Sequence, residues 1–433
     1  MTAPTFGVGL IGLGTVGEGV VRLLANAPIS MQKRNVKFTI ERIAVRDPGK
    51  VRKISVDSSV LTGNAEEVIK DSKVDLVIEL TGAPPAVEWI RSALECGKDV
   101  VTANKAVLSE HGDELFSLAL ENDVDLMFEA SVAGGIPIIR SLRSGLVANQ
   151  VESLYGILNG TTNYIMTRMT RGEGAYNQIL AAAQAKGFAE PDPTMDVSGM
   201  DAAQKLSLLS RIAFHTTGTG ADVYCEGIEN IESKDIENAR ELGYTIKLLA
   251  IAKRSGDQVE TRVHPAMVPS ESLLANIHDE YNAIEVVGSA VDTQVFYGKG
   301  AGQMPTASAV VADLVELGER KVAGAGTAVR DMIAGEEAVD FADVRRSEMR
   351  FYLRFLVADQ PGVLEQIAHI LAQGHISIAS VIQKERDLQG GSVPLIIVTH
   401  EAKEEAMRKA LSVLNRLDMV EEDVVLIRME ELR

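Results

Sequence analysis

A glycine-rich turn near the start of the chain is the feature that most constrains its fold. Gly12-Leu-Gly14-Thr-Val-Gly17 follows an apolar segment, residues 6–11, and opens a helix-forming segment, residues 15–25. In GxGxxG spacing, the first glycine permits a tight turn, the second lets the backbone approach a pyrophosphate, and the third allows close helix–strand packing. The helix N-terminus then offers free N–H groups to the phosphates. The pattern predicts a dinucleotide-binding turn, with a purely structural glycine turn as the alternative.

Apolar segments and helix-forming segments alternate from this turn to residue 129. Further strands are predicted at residues 38–45, 74–80, 99–102 and 125–129. Such alternation is typical of βαβ units and a parallel sheet. We therefore expect an α/β fold that begins with a Rossmann-type dinucleotide-binding domain, residues 1–135, to which a helix in residues 303–325 returns.

The end of the second predicted strand bears on the choice of cofactor. Arg46 and Asp47 stand there, and Lys50, Arg52 and Lys53 follow closely. An acidic residue at this place holds the ribose hydroxyls of NAD, whereas an arginine accommodates the 2′-phosphate of NADP. The sequence favours NADP(H), with NAD(H) and a merely solvated basic loop as the alternatives.

Charge and cysteine content limit the partners. The 433 residues include 43 basic and 61 acidic side chains, a net charge of −18. Such a surface repels nucleic acid and anionic lipid, so we expect neither partner and favour a small-molecule substrate. No apolar stretch approaches the ~18 residues of a membrane span, and we see no secretory signal. Cys96 and Cys225 lie outside any CxxC motif, which predicts packing residues in a cytoplasmic, reducing compartment.

Longer helix-forming segments appear in residues 136–302, where we expect an α+β domain for substrate binding, catalysis and dimerisation. Helices are predicted at residues 177–186, 201–213 and 236–252, and an apolar helix at residues 304–317 is expected to pack back on the first domain. Strands are predicted at residues 151–158, 259–263, 283–287 and 294–298. A charged segment without clear periodicity then predicts a linker over residues 326–349.

The last part of the chain, residues 350–433, reads as a separate small domain. Strands are predicted at residues 351–357, 376–383, 393–399 and 424–428. Helices are predicted at residues 363–373 and 404–415. The order βαββαβ is that of ferredoxin-like domains.

An acidic segment precedes the predicted helix that carries Lys205. Its prolines and glycines predict an ordered loop over residues 187–199, which contains Glu190. Asp201 and Lys205 are four residues apart and share one helix face. A lysine oriented by carboxylates and shielded from water exchanges a proton near neutral pH, which suits oxidation of an alcohol whose hydride leaves for a cofactor. The alternative is a capping aspartate in an ordinary surface ion pair, worth ~0.3–0.5 kcal/mol.

Four segments resemble those of the homoserine dehydrogenase family. They are Thr102-Ala-Asn-Lys105, Glu129-Ala-Ser-Val-Ala-Gly-Gly-Ile-Pro137, Gly156-Ile-Leu-Asn-Gly-Thr-Thr-Asn-Tyr164 and the acidic segment up to Lys205. Because all four fall in the family's order, the resemblance is more specific than any one motif. It implies an NAD(P)-dependent oxidoreductase that interconverts aspartate semialdehyde and homoserine in threonine, methionine and isoleucine biosynthesis.

The resemblance also implies roles for individual residues. Lys205 is similar in position to the family's proton donor and acceptor, and Glu190 and Asp201 to its substrate contacts. Lys105 resembles a second lysine near the nicotinamide and the substrate; from the residues alone, a surface lysine at a helix start is the alternative. The remaining residues that resemble the family's cofactor lining are Thr15, Val16, Gly187 and Gly302.

A monovalent cation, Na+ or K+, is implied by the same resemblance and is bound mainly by carbonyl oxygens. The residues that resemble its site are Glu129, Val132, Gly134 and Ile136. The alternative for Glu129 is an ordinary strand-end carboxylate. Ala133 stands where the family often has glycine, which we expect to matter little, because a carbonyl ligand depends on the backbone.

The C-terminal domain contains Asp359-Gln-Pro-Gly362 between a strand and a helix. Asp359 is a candidate helix cap, Gly362 permits close approach, and exposed N–H groups bind a carboxylate. The stretch resembles the ACT domain, an amino-acid-sensing module, and the implied effector is threonine, the end product of the pathway. A capped turn in a module that serves only dimerisation is the alternative.

The sequence thus favours an enzyme, and the resemblance implies a homodimer or higher homo-oligomer. A non-catalytic sensor of dinucleotides and amino acids is the alternative, but a sensor needs no proton-transferring lysine such as Lys205. Another amino-acid dehydrogenase on the same scaffold is a third hypothesis. The sequence leaves open the cofactor preference, the effector, the physiological direction and the assembly beyond a dimer.

Overall fold

The structure is a computed structural model that describes residues 3–185, 187, 189–333, 338–383 and 391–432. Its strands are β1 (Thr5–Ile11), β2 (Lys37–Ala44), β3 (Leu61–Thr62), β4 (Leu76–Glu79), β5 (Asp99–Thr102), β6 (Leu126–Met127), β7 (Val151–Ile157), β8 (Tyr224–Cys225), β9 (Tyr244–Ser255), β10 (Gln258–Pro269), β11 (Tyr281–Gly288), β12 (Asp292–Lys299), β13 (Phe341–Ala342), β14 (Glu348–Ala358), β15 (Ile378–Gln383), β16 (Ser392–Thr399), β17 (Ala402–Lys403) and β18 (Val425–Met429). Its α-helices are α1 (Thr15–Ala25), α2 (Ile29–Gln32), α3 (Ala65–Lys70), α4 (Ala86–Glu95), α5 (Lys105–Glu121), α6 (Ile138–Arg140), α7 (Gly160–Thr170), α8 (Tyr176–Ala185), α9 (Thr194–Val197), α10 (Met200–Phe214), α11 (Ser233–Glu241), α12 (Gln303–Ala323), α13 (Val363–Gln373) and α14 (Glu404–Leu414).

The chain divides into two compact units. The first comprises Met1–Gly160, Ala202–Val223 and Tyr281–Asp340. The second comprises Thr161–Asp201, Tyr224–Glu280 and Phe341–Arg433. Each unit is therefore assembled from segments that are distant in sequence.

A parallel sheet forms the centre of the first unit. Its strand order is β3-β2-β1-β4-β5-β6, and every neighbouring pair is parallel. This is the order of a dinucleotide-binding Rossmann sheet, in which ligands bind beyond the carboxyl ends of the central strands. The predicted α/β class with a Rossmann-type domain is confirmed, and the glycine turn lies at the end of the central strand β1.

Helix α12 packs against this domain although it is distant from it in sequence. A Cβ atom added at Gly19 of α1 would lie 2.8 Å from the Ala307 Cβ of α12. A Cβ atom added at Gly318 of α12 would lie 3.0 Å from the Phe38 ring of β2. Leu314 and Leu317 of α12 lie in the same buried cluster as the strands of the sheet. The first unit also contains an antiparallel set in which β11 lies between β7 and β12.

One predicted helix, residues 236–252, is wrong in its second half. Helix α11 ends at Glu241, Gly243 follows with φ +84°, and the chain continues as strand β9. Strands β9 and β10 form a long antiparallel hairpin whose turn contains Gly256 at φ +62°. The apolar run in β9 is continuously buried, so it lacks the alternation of a half-exposed strand, and a buried strand cannot be told from a buried helix by periodicity.

The C-terminal part of the second unit has the predicted ferredoxin-like fold. Its antiparallel sheet has the order β18-β14-β16-β15, and α13 and α14 supply the two helices of the βαββαβ arrangement. Phe351, Phe355 and Ile367 are among the side chains of its own core. Strand β18 also pairs in parallel with β10, with Ala266 opposite Arg428. The sheet of this domain therefore continues into the β9–β10 hairpin.

Three smaller expectations need correction or completion. The loop predicted over residues 187–199 contains a short helix, α9, which follows the turn at Pro193. Cys96 is exposed at the end of α4 and is not a packing residue, whereas Cys225 is half-buried. In the part of the chain that the structure describes, no helix combines the length and apolar character needed to cross a bilayer.

Candidate active site

The glycine turn leaves open space where a phosphate would approach. Gly12 has φ +105°, and its N–H donates to the Ala44 carbonyl oxygen at 3.0 Å. Gly14 is the N-cap of α1, and a Cβ atom added there would meet no atom within 4 Å. At Gly17, by contrast, a Cβ atom would lie 2.3 Å from the Gly12 carbonyl oxygen. The turn therefore packs tightly on its inner side and is open at Gly14.

The other predicted cofactor residues of the first unit lie at element ends. Thr15 is exposed and Val16 half-buried in the first turn of α1. Arg46 is exposed two residues beyond β2, whose last residue, Ala44, pairs with Ile11 directly before the glycine turn. Gly302 is the N-cap of α12, with φ +128°, a conformation that glycine adopts without strain.

A buried carboxylate at the end of β4 holds the start of helix α5. The Thr81 amide and hydroxyl both donate to Glu79 at 2.7 Å, and the Thr102 hydroxyl donates to its second oxygen at 2.9 Å. Thr102 in turn accepts the Asn104 N–H at 3.0 Å, and Asn104 caps α5. Lys105 is the first residue of that helix, so this network fixes its backbone. Sequence reasoning missed Glu79; the available signal was an acidic residue that ends an apolar strand.

Lys205 lies on α10 with its ammonium group oriented by backbone. Its Nζ donates to the Leu158 carbonyl oxygen, just beyond β7, at 2.7 Å, and its side chain is half-buried. Two residues farther along, the Ser207 hydroxyl is 2.9 Å from the Ser109 hydroxyl of α5. Ser109 is one turn from Lys105. The first unit therefore places both predicted lysines near the junction of α5 and α10.

The predicted substrate carboxylates belong to the second unit. Glu190 is exposed, and its carbonyl oxygen accepts a hydrogen bond from the Gln184 amide at 3.1 Å. Asp201 is buried as the second residue of α10. Asp192 instead caps its own turn: hydrogen bonds from the Thr194 hydroxyl and N–H hold the pKa of its carboxyl below the usual range. Of the acids in this loop, Asp192 thus has a local structural role.

Gly187, the remaining predicted cofactor residue, ends helix α8 and also belongs to the second unit. It has φ +74°, and its N–H donates to the Gln184 carbonyl oxygen at 3.0 Å. Left-handed backbone of this kind after a helix is a typical glycine position. The left-handed turn after α8 therefore explains a glycine at position 187, independently of its predicted role as a cofactor contact.

In the C-terminal domain, the helix cap differs from the expected one. Gly362 is the N-cap of α13 and has φ +93°. The expectation that Asp359 caps this helix is therefore wrong: only glycine enters this left-handed conformation without strain, and Gly362 makes the turn directly before α13. The Asp359 N–H donates to the Gly391 carbonyl oxygen at 2.9 Å, which ties the loop to the start of β16.

Three family models match successive parts of the chain. They are the NAD-binding domain of homoserine dehydrogenase over residues 12–129, homoserine dehydrogenase itself over residues 137–315, and the ACT domain over residues 351–416. Homoserine dehydrogenase of Pseudomonas aeruginosa is 41% identical over 430 residues, which is 98% of this chain and 99% of that protein. The chain belongs to the homoserine dehydrogenase family.

Other relatives of this homoserine dehydrogenase agree along the full length. The enzyme of Bacillus subtilis is 38% identical over 417 residues, 96% of each chain. A crystal structure of the homoserine dehydrogenase of Thiobacillus denitrificans has a TM-score of 0.92 and 39% identity, and all of each chain is covered. The protein is thus an NAD(P)-dependent oxidoreductase of amino-acid biosynthesis that carries an ACT domain, as the sequence predicted.

The carboxylate of Glu129 is fully used in bracing a loop of this homoserine dehydrogenase. It accepts the backbone N–H groups of Ile139 at 2.9 Å and Arg140 at 2.8 Å, and burial raises its pKa. The Glu129 N–H donates to Asp313 at 2.9 Å. A cation ligand supplied by Glu129 would therefore be its carbonyl oxygen, in keeping with a site made of backbone. The described residues contain no group of three or more His, Cys, Asp or Glu side chains able to hold a metal ion.

The backbone after Glu129 is tightly constrained. A Cβ atom at Gly134 would lie 2.8 Å from the Gly300 carbonyl oxygen and 2.9 Å from the Thr306 hydroxyl, so no side chain fits there. Ala133 has φ +50°, a left-handed conformation that costs a residue with a Cβ atom roughly 1–2 kcal/mol. Ala133 therefore carries backbone strain that a glycine at this position would not have, so the residue type matters more for the backbone here than we expected.

Proposed function

We propose that Lys205 transfers the proton in the homoserine dehydrogenase reaction and that Glu190 and Asp201 bind the amino-acid substrate. The observation that carries the proposal is the hydrogen bond from Lys205 Nζ to the Leu158 carbonyl oxygen at 2.7 Å. A carbonyl oxygen accepts from an ammonium and from a neutral amine alike, so it orients Nζ in both protonation states. The neutral amine keeps its lone pair for a substrate hydroxyl.

The proposed mechanism assigns one task to each side chain. In homoserine oxidation, neutral Lys205 takes the hydroxyl proton; in aldehyde reduction, its ammonium group returns a proton to the carbonyl oxygen. A bound nicotinamide cofactor would accept or supply the hydride. The carboxylates of Glu190 and Asp201 bind the substrate ammonium through charge-assisted hydrogen bonds. Lys105, fixed at the start of α5, contributes a second positive charge for the substrate and cofactor.

We also propose that NADP(H) is the preferred cofactor and that NAD(H) is used less well. Support comes from the exposed Arg46 beyond β2, whereas the Asp47 carboxylate accepts the Gly49 N–H at 2.9 Å. The proposed cofactor contacts are Gly12, Gly14, Thr15, Val16, Gly17, Arg46, Lys105, Gly187 and Gly302. Open space at Gly14 fits a pyrophosphate held by the first turn of α1.

The test is the Arg46→Ala variant. Loss of a guanidinium that faces the 2′-phosphate should raise KM for NADPH about tenfold and leave KM for NADH nearly unchanged, because only NADPH carries that phosphate. Initial rates of absorbance change with each cofactor give both constants. Lys53→Ala, another exposed cation of the same loop, is the control. An equal effect of Arg46→Ala on both cofactors would contradict the preference.

A monovalent cation, Na+ or K+, is proposed at the carbonyl oxygens of Glu129, Val132, Gly134 and Ile136. Two facts support it within the described residues: no hydrogen bond reaches the carbonyl oxygens of Val132 and Gly134, and Gly134 has no room for a side chain. Such a cation would stabilise the loop between β6 and α6. Its role would be structural, because none of the residues proposed for proton transfer or substrate binding belongs to this set.

Regulation by threonine is proposed for the ACT domain, with Asp359 and Gly362 at the effector site. The left-handed turn at Gly362 and the start of α13 support it, because free N–H groups at a helix N-terminus bind carboxylates. A titration of activity with threonine tests it, and a flat titration would contradict it.

A cytoplasmic homodimer is proposed as well, supported by Tyr297, which is 56% exposed and stacks on Tyr281 at the edge strand β12.

A further inference from the structure

A buried arginine joins the ACT domain to residues 224–228, a segment that is distant from it in sequence. Arg428 of β18 is 3% exposed. Its guanidinium donates to both oxygens of Glu404, at 2.6 and 3.0 Å, within the ACT domain. On its other side it donates to Glu226 at 2.7 Å and to the Tyr224 hydroxyl at 2.9 Å. One side chain therefore binds two carboxylates and a phenol that are distant in sequence.

The hydrogen bonds of this cluster, which comprises Arg428, Glu404, Glu226 and Tyr224, fit the protonation states of Glu404 and Tyr224. Burial opposes ionisation of Glu404, yet the hydrogen bonds from Arg428 prevail and hold its pKa below the usual range. Burial raises the pKa of Tyr224 to about 12, so its hydroxyl keeps its proton and donates to Glu226 at 2.9 Å. Removing Arg428 would leave the buried Glu404 with only the more exposed Arg408 as a charged partner. Lysine would keep the charge but not the planar fork that binds both oxygens of Glu404.

The segment 224–228, which Arg428 holds, binds the turn that precedes α10. The Ile228 N–H donates to the Val197 carbonyl oxygen at 2.9 Å, and Cys225 Sγ contacts the Ser198 carbonyl oxygen at 3.1 Å. A Cβ atom at Gly227 would lie 2.3 Å from the Val197 carbonyl oxygen. The two backbones thus approach so closely that a displacement of one displaces the other.

This turn leads directly into the residue proposed to bind substrate. Gly199 has φ +86°, and a Cβ atom there would lie 2.9 Å from Cys225 Sγ. Asp201 follows as the second residue of α10 and is buried. The path from β18 to Asp201 therefore consists of a guanidinium fork, one short segment and one glycine turn, all in the second unit.

We propose that Arg428 is a positioning residue for substrate binding: through segment 224–228 it sets the turn 197–199 and hence the Asp201 carboxylate. The proposal rests on the proposed substrate role of Asp201. It gives the ACT domain a direct physical connection to the substrate loop, because Arg428 and Glu404 are part of that domain. A change in the ACT sheet that moves β18 would therefore alter the hydrogen bonds from Arg428 to Tyr224 and Glu226.

The test compares two arginines of one cluster by steady-state kinetics. Arg428→Lys keeps the charge but cannot bind two carboxylates in a fork, so KM for homoserine should rise about tenfold. The values of kcat and of KM for NADP should change less than about twofold, since the cofactor residues are not displaced. Arg408→Lys is the matched control: Arg408 binds Glu404 at 2.8 Å and lies over the Tyr224 ring, but it is more exposed, and among the described residues no hydrogen bond joins it to Glu226.

A second variant separates this effect from loss of folding. Glu226 is partly exposed, so Glu226→Gln should fold normally while weakening the same connection, and it should also raise KM for homoserine. Unchanged KM in both variants, equal changes in the KM values of both substrates, or the same effect from Arg408→Lys would overturn the proposal. Asp201→Asn tests the underlying assumption: if it leaves KM for homoserine unchanged, the substrate role fails, whereas a rise with no effect at Arg428 refutes only the positioning.

Discussion

Single buried polar side chains hold the motifs of this enzyme in place. Asn163 of the Gly156–Tyr164 segment donates to the Asp279 carbonyl oxygen at 3.0 Å and accepts from Lys247 at 3.1 Å. Lys247 also donates to the Ile277 carbonyl oxygen and is 2% exposed. The asparagine of the motif thus braces the loop after β10, which is a structural reason for its place in the motif.

The buried lysine should make stability depend on pH. Burial lowers the pKa of Lys247 to about 8, while in the unfolded chain it is close to 10.5. Between these values the unfolded state binds more protons, so this group adds stability as pH rises. The free energy of unfolding of the wild type, relative to Lys247→Met, should increase by about 1–2 kcal/mol from pH 7.5 to pH 9.5.

Urea denaturation of both proteins at several pH values measures this difference. Lys234→Met, at an exposed position of α11, is the control and should track the wild type at every pH. Parallel curves for the wild type and Lys247→Met would show that the Lys247 pKa is not depressed in the folded protein.

At the scale of elements, two glycines of the GxGxxG turn are needed for different reasons. Gly17 has no room for a side chain because α1 lies against the turn, whereas Gly14 has open space. The first requirement belongs to folding, and the second to the cofactor contact that we propose for Gly14. Substitution at the two positions should therefore give opposite phenotypes.

Gly17→Ala should lower the free energy of unfolding by about 1–3 kcal/mol, because its Cβ atom meets the Gly12 carbonyl oxygen. Gly14→Ala should leave it unchanged within about 0.5 kcal/mol but raise KM for NADPH about tenfold, because a methyl group obstructs the pyrophosphate. Denaturation and initial rates distinguish the two outcomes. A Gly14→Ala enzyme with unaltered KM would contradict the proposed role of this glycine.

Short apolar strands bounded by helices or turns were predictable, including the fully buried β4 and β5, and the failures have physical causes. The Rossmann strands and the ferredoxin-like order follow from apolar runs separated by amphipathic helices. Strand β9 was mistaken for helix because its apolar residues are buried continuously. At the site, charged residues in motifs were predicted from sequence. The bonds that join Glu79 to Thr102 and Arg428 to Glu404 span 23 and 24 residues, and no local pattern predicts such pairs.

At the scale of the whole molecule, the ACT domain is attached by buried ion pairs as well as by a shared sheet. Arg354 of β14 binds Asp235 of α11 through two hydrogen bonds, at 2.6 and 3.1 Å, and the Asp235 side chain is fully buried. Arg262 of β10 likewise binds Glu430, just beyond β18, at 2.5 Å. Such pairs favour one fixed attachment, because separation leaves a buried charge without a partner.

Removing one partner of such an ion pair should destabilise the folded protein more than removing both partners. Arg354→Met leaves Asp235 unpaired and should lower the free energy of unfolding by about 3–5 kcal/mol. The double variant Arg354→Met/Asp235→Asn removes both charges and should recover most of that loss, since Tyr352 and Asn238 remain beside position 235. Urea denaturation of the single and double variants tests this. A double variant as unstable as Arg354→Met would show that the charge pair is not the cause.

The most direct test of the account is the rate of homoserine oxidation by a Lys205→Met enzyme. If this ammonium group carries the proton, kcat should fall by about 100-fold or more, while KM for NADP stays within about threefold of the wild type. Lys234→Met, the exposed control, should keep full activity. A Lys205→Met enzyme that retains kcat within about threefold would show that another group transfers the proton.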